Sequence, residues 1–271
     1  MRLAVSNIGW REAEDAAILP RLRDAGVDAI EVAPGRVFAD VPSASVAEAE
    51  GIGAQYRAAG LPIVSMQALL FGRPELTLFG TAAEVRPLLE HLSHVVRLAG
   101  ALGCGPLVFG SPRNRLKGGR SFAEARDEVL PALRRIGAMA EASGTVFCLE
   151  ANAADYGCDF MTRLAEAGEV AAAAGHPGIG QVVDTGNMMM MGEEPDAIRA
   201  VAPHIRHVHV SAPQLGPVAA QAAFVERMIP VLRDVGYDSV VTLEMRPGEG
   251  EDPTAELFRA AALLRDLIDR G

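Results

Sequence analysis

Four short apolar stretches in the second half of the chain each end on a residue able to bind a metal ion or carry a proton. They read Phe147-Cys148-Leu149-Glu150-Ala151-Asn152, Val182-Val183-Asp184-Thr185-Gly186-Asn187, His207-Val208-His209-Val210-Ser211 and Thr242-Leu243-Glu244-Met245-Arg246. In order they present Glu150, Asp184, His209 and Glu244. Taken singly, an acidic residue at the end of an apolar run usually caps a helix or pairs with an arginine. Three carboxylates and an imidazole on four successive apolar segments are costly to bury without a cation, so together they read as ligands of one divalent ion. A mostly oxygen donor set suits Mn²⁺, expected first, or Mg²⁺, and accepts Co²⁺ or Zn²⁺ with positions left open for substrate.

For these groups to meet, something must carry them to one point. Short β-branched runs alternate with longer Ala/Leu/Arg/Glu stretches of helical period, and the alternation occurs eight times. The strand candidates are Arg2 to Asn7, Ala29 to Ala33, Ile63 to Gln67, Leu107 to Gly110, Thr145 to Glu150, Gly180 to Asp184, Arg206 to Val210 and Val240 to Glu244. Helices fill the gaps, and phrases such as Asp24-Ala25-Gly26-Val27-Asp28 and Ala101-Leu102-Gly103-Cys104-Gly105 place a glycine where a helix ends in a left-handed cap.

Such βαβ alternation requires parallel strands with right-handed crossovers, and eight units close most naturally into a (β/α)8 TIM barrel. The length of 271 residues suits one barrel domain spanning 1–271, with no linker or low-complexity tract. An open Rossmann-like sheet is the alternative; against it, Val5-Ser6-Asn7-Ile8-Gly9-Trp10 follows the first strand where GxGxxG would stand. In a barrel the chemistry sits at the C-terminal strand ends, and neighbouring strands ~4.8 Å apart let four consecutive ends converge inside the mouth.

Composition narrows the function classes. A net charge of −10 with no long Lys/Arg run argues against nucleic acid as partner. No apolar run reaches the ~18 residues of a membrane span, and the N-terminus has no secretory pattern, so a soluble cytoplasmic enzyme is expected. Three cysteines, Cys104, Cys148 and Cys158, without CxxC spacing fit a reducing compartment. The single lysine, Lys117, falls in a Gly-rich loop rather than on a strand, which disfavours a Schiff-base aldolase.

Further residues are candidates for holding a substrate. The segment Gly110 to Arg120 is basic and carries Arg113, Arg115 and Lys117, read either as a phosphate or carboxylate clamp or as a solvated loop. Trp10 would stack on substrate or pack the barrel rim; Gln67, Asn152 and Arg246 close strand ends and would reach hydroxyls or orient a ligand. Met188 to Met191 reads as gap-filling core, Glu31 as a structural pairing inside the barrel, and His207 as a support one layer below His209. His91, His94, His176 and His204 fall on helices or connections and read as structural.

The segments Gly26-Val27-Asp28-Ala29-Ile30-Glu31, Leu149-Glu150, Val183-Asp184-Thr185-Gly186-Asn187, His207-Val208-His209 and Leu243-Glu244 resemble the xylose-isomerase-like barrels, over essentially the whole chain. That group includes sugar phosphate isomerases, ketose 3-epimerases, hydroxypyruvate isomerases, inosose dehydratases and endonuclease IV. The resemblance implies that Glu150, Asp184, His209 and Glu244 bind the metal and that Glu150 and Glu244 are the acid/base pair. It implies an isomerase or epimerase of a small sugar, sugar phosphate or keto-polyol acting through a metal-stabilised enediolate, and a homodimer or homotetramer. The other readings are a lyase of an inosose-like compound, an endonuclease IV-like hydrolase and a catalytically silent barrel.

Two positions depart from the ketose 3-epimerase pattern: Asn187 stands where those enzymes have a substrate-binding histidine, and Leu215 where they have an arginine. Asn187 still donates and accepts hydrogen bonds, but the altered grip argues against a free ketohexose.

Overall fold

The computed structural model describes residues 1–249 and 252–270. Eight strands, β1 (Arg2–Ser6), β2 (Ala29–Val32), β3 (Ile63–Met66), β4 (Pro106–Phe109), β5 (Val146–Glu150), β6 (Ile179–Asp184), β7 (Ile205–Val210) and β8 (Val240–Leu243), form a closed barrel in sequence order. All neighbours run parallel, and β8 returns to β1 through the register Arg2↔Val240 to Val5↔Leu243. The (β/α)8 architecture expected from the alternation is thus the one observed, and every strand boundary lies within one residue of its expectation. Gln67 and Glu244 fall just past their strands, where the chain leaves the ladder.

The described helices are α1 (Asp15–Asp24), α2 (Val46–Ala58), α3 (Ala82–Leu102), α4 (Phe122–Ala142), α5 (Leu164–Ala174), α6 (Thr185–Met190), α7 (Ile198–Val201), α8 (Ala222–Asp234) and α9 (Ala255–Asp269). Three of them start where Ser/Thr and a Glu three residues on satisfy each other's backbone N–H groups: Ser45–Glu48, Thr81–Glu84 and Ser121–Glu124. At the other end of α3, Gly103 adopts φ 101° and returns its N–H to Ala99, a backbone conformation open to glycine without steric cost.

Alternation along each strand divides the side chains between two environments. One parity, with Leu3, Val5, Ile30 and Leu107, packs outward against the helices in the main apolar core. The other forms two small clusters, Ala4 with Ala29 and Val240, and Val108 with Cys148 and Val182. Two residues beyond Ala29, Cys148 and Val182 come Glu31, Glu150 and Asp184, so the polar groups stand above an apolar floor inside the barrel.

Cys104, Cys148 and Cys158 are free and buried. Among the described residues no helix is long and apolar enough to cross a membrane. His91 and His94 bond the carbonyls of Leu69 and Val41, and His176 accepts from the Gly178 N–H, as structural histidines do.

Candidate metal centre

The four residues expected to converge do converge. Glu150, Asp184, His209 and Glu244 each offer one donor atom, and these atoms all lie within 4.8 Å of one another. Strand register produces the meeting: Asp184 pairs with His209 across β6 and β7, and His209 pairs with Thr242, two residues below Glu244. Glu150 and Glu244 are each only 8% exposed, so the cluster sits within the mouth and not on its rim.

Local sequence explains how Asp184 is held. Its Oδ1 caps α6 by accepting the Asn187 N–H at 2.5 Å, and its Oδ2 accepts Ser211 Oγ at 2.7 Å. Thr185 pins the same loop by donating to the Ser211 carbonyl at 2.6 Å. Gly186 is required because a Cβ there would stand 2.4 Å from Ser211 Oγ. The Asp-Thr-Gly-Asn run is therefore a device that locks the end of β6 onto the end of β7.

His209 stands between three carboxylates. Its Nδ1 lies 3.0 Å from Glu150 Oε1 and 3.1 Å from Glu244 Oε2, while its Nε2 lies 3.2 Å from Glu31 Oε2. Although so close, Nδ1 and Glu150 Oε1 have no hydrogen-bond partner among the described residues and are cut off from solvent. Buried donors and acceptors in proteins are nearly always satisfied, so two orphans facing each other amid carboxylates fit a bound cation. The donor set of three carboxylates and one imidazole suits a divalent ion.

Electrostatics tell the same story. Burial, then the charges of Glu150 and Glu244, push the Asp184 carboxyl up to about 7. Burial by itself would lower the His209 pKa, but Glu31, Glu244 and Glu150 outweigh it and hold the imidazole well above its ordinary value. The Glu31 carboxyl is likewise held well below the usual range, because His209 and His207 overcome the effect of burial. The metal-free cluster thus retains protons that a divalent ion would displace.

The remaining expected site residues are distributed unevenly. Asn152 is part of the centre: its Nδ2 donates to Glu150 Oε2 at 3.2 Å. Asn187 is 3% exposed, donates to the Thr162 carbonyl at 3.3 Å and leaves Oδ1 without a partner among the described residues. Gln67 sits lower, donating to Ser6 Oγ at 2.7 Å and to Glu31 Oε1 at 3.1 Å. Trp10 is buried with its indole N–H 2.5 Å from Asp15 Oδ1, a rim-packing placement.

The basic loop after β4 does not bring its three cations together. Arg115 turns inward and is fully buried, and Lys117 Nζ donates to the Arg120 carbonyl at 2.8 Å. Arg113 is exposed and lines a cavity of about 530 Å³ with Phe71 and Arg73. Arg246 is exposed on a cavity of about 680 Å³ that is also lined by Arg11, Leu215 and Glu256.

Sequence reasoning missed two participants. Tyr156, in the loop after β5, accepts the Gln214 N–H on its hydroxyl at 2.9 Å and so ties the β5 and β7 loops together; burial and the nearby charges of Asp184, Glu244 and Glu150 push its phenol pKa up. Ser211, one residue past β7, orients Asp184 by donating to its Oδ2. No residue spacing flags either one.

A protein-family model described as "Xylose isomerase-like TIM barrel" matches residues 19–267. The chain belongs to that family. Similar solved structures include a D-psicose 3-epimerase from Clostridium cellulolyticum H10 crystallised with D-tagatose, at TM-score 0.77 and 16% identity over 99% of this chain and 98% of that one. A 3-keto-D-glucoside 4-epimerase from E. coli superposes at TM-score 0.72 and 17% identity, covering 99% of both chains. The IolI protein with a bound zinc atom superposes at TM-score 0.76 and 13% identity over 100% of this chain and 99% of that one. At such identities the likeness is one of fold. A comparison with curated protein sequences returned no match.

Proposed function

We propose that this member of the xylose isomerase-like family is a cytoplasmic, divalent-metal-dependent isomerase or epimerase of a small sugar, sugar phosphate or keto-polyol, with Mn²⁺ as the metal. One observation carries the reading: the orphaned His209 Nδ1 and Glu150 Oε1 face each other inside a cluster completed by Asp184 and Glu244. The names of similar folds, a 3-epimerase and a 4-epimerase of sugars, point in the same direction. The buried free thiols suit a reducing compartment.

Glu150, Asp184, His209 and Glu244 would hold the ion, which supplies Lewis-acid charge that acidifies a C–H beside a carbonyl. Glu150 and Glu244 are the proton-carrying pair in this reading: each is a carboxylate at the mouth with little exposure to water. Two bases on opposite faces of a carbon give epimerisation, and one base moving a proton between neighbouring carbons gives isomerisation. Asn187 serves substrate through its partnerless Oδ1, which can accept a hydroxyl hydrogen.

The test is incubation of the Mn²⁺ form in deuterated water with a panel of ketoses, ketose phosphates and inososes. Deuterium is expected at the carbon beside the carbonyl of the true substrate. A panel that emerges wholly unlabelled, from protein shown to bind Mn²⁺, rejects proton transfer as the activity.

A further inference from the structure

We infer that Glu31 is a positioning residue for the metal centre: by holding His209 Nε2 it presents Nδ1 to the ion and thereby sets the affinity for it. The inference rests on the metal reading above and concerns a residue that is fully buried behind His209.

His209 presents its two ring nitrogens to different carboxylates. Nε2 faces Glu31 Oε2 at 3.2 Å, and Nδ1 faces Glu150 Oε1 at 3.0 Å. An ionised carboxylate only accepts hydrogen bonds, so its contact with Nε2 is made when the proton sits there. The neutral ring with a proton on Nε2 has its lone pair on Nδ1, the nitrogen aimed at Glu150 and Glu244. A carboxylate behind a metal-bound imidazole fixes the tautomer, fixes the ring orientation and makes the nitrogen a stronger donor.

Glu31 is itself held in place. It is 0% exposed and accepts Ser65 Oγ at 2.8 Å and Gln67 Nε2 at 3.1 Å, while His207 Nε2 lies 2.8 Å from the same oxygen that faces His209. Gln67 is in turn anchored to Ser6 Oγ. Groups from β3 and β7, or just beyond their ends, thus converge on one carboxylate of β2, one layer below the centre. A pairing that served stability alone would be complete with Ser65, Gln67 and His207. The added contact to His209, whose other nitrogen has no hydrogen-bond partner among the described residues, is what links this network to the ion.

Mn²⁺ dissociation constants are measured by calorimetry for the wild-type chain and for Glu31→Gln, which keeps size and an acceptor oxygen but removes the charge. Weakening by about 10- to 100-fold is expected, as for loss of other such partners of metal-bound histidines. In parallel, ¹⁵N spectra of the Zn²⁺-loaded proteins report which His209 nitrogen is metallated: Nδ1 in wild type, with a protonated Nε2 that loses its protection in Glu31→Gln.

Should Glu31→Gln not fold, Glu31→Asp retains the charge but withdraws it by one methylene, and weaker Mn²⁺ binding is expected there too. A folded variant that binds Mn²⁺ within about threefold of wild type, or a His209 metallated through Nε2, overturns the inference while leaving the metal centre standing. Failure of the wild-type chain to bind Mn²⁺ overturns both.

Discussion

The buried guanidinium of Arg115 donates from Nη2 to Oδ1 of Asn152 at 2.7 Å. Asn152 passes the connection on, its Nδ2 reaching Glu150 Oε2 at 3.2 Å. An arginine that reads from sequence as part of a substrate clamp is therefore joined to the centre from behind, and among the described residues no carboxylate pairs with it.

Asn152→Ala leaves a buried guanidinium N–H without its acceptor and frees one oxygen of Glu150. The expected cost is about 1–3 kcal/mol of stability, read by urea unfolding, together with weaker Mn²⁺ binding. An unfolding free energy equal to wild type would show that the Arg115–Asn152 contact carries no weight.

Gly110 lies against the same carboxylate: a Cβ there would stand 2.4 Å from Glu150 Oε2. Gly110→Ala must push the carboxylate aside or shift the end of β4, and overpacking of this kind costs about 1–3 kcal/mol. Mn²⁺ affinity and turnover should fall together. Calorimetric titration checks the first, and retention of full affinity would mean that Glu150 has room to move.

Removal of the ion should lower thermal stability, because a ligand bound only by the folded state stabilises it by about 2.7 kcal/mol at a hundred times its dissociation constant. Melting with Mn²⁺ and with excess EDTA measures this difference. In Asp184→Asn or His209→Gln the two curves should coincide.

The metal-free protein should lose stability as pH rises from about 4 toward 7. The sign follows from Asp184: its folded pKa is raised to about 7, so between the ordinary carboxylate value and 7 the folded state holds a proton that the unfolded chain has released. His209, also raised, extends the loss above its ordinary value. Glu31, held low, acts in the opposite sense only below the usual carboxylate range, and His207 and His91, lowered by burial, offset part of the loss below the ordinary histidine value. Mn²⁺ should reverse the trend, since deprotonated ligands bind it better; urea unfolding across this range, with and without Mn²⁺, is the measurement.

Much of this was legible in one dimension. The eightfold alternation announces the barrel, and Glu150, Asp184, His209 and Glu244 stand out because each closes an apolar run whose neighbours cannot pay for burying a charge. Glu31 and Arg115 were harder to read. Glu31 follows two apolar residues on a strand like any inward acid, and its pairing with His209 spans 178 positions. Arg115 sits among other cations in a loop, and only the turn of the chain at Pro112–Arg115 carries its side chain inward to Asn152.

What the sequence by itself determined is the set of donors and the fold that delivers them, since period and residue type are local properties that strands and helices obey wherever they lie. Only the tertiary structure decided how those donors are supported: which nitrogen of His209 faces Glu150, which oxygen of Glu150 Asn152 holds, and that Glu31 stands behind the ring. These depend on barrel closure and strand register, which set distances of a few ångströms between residues that sequence separation leaves unrelated.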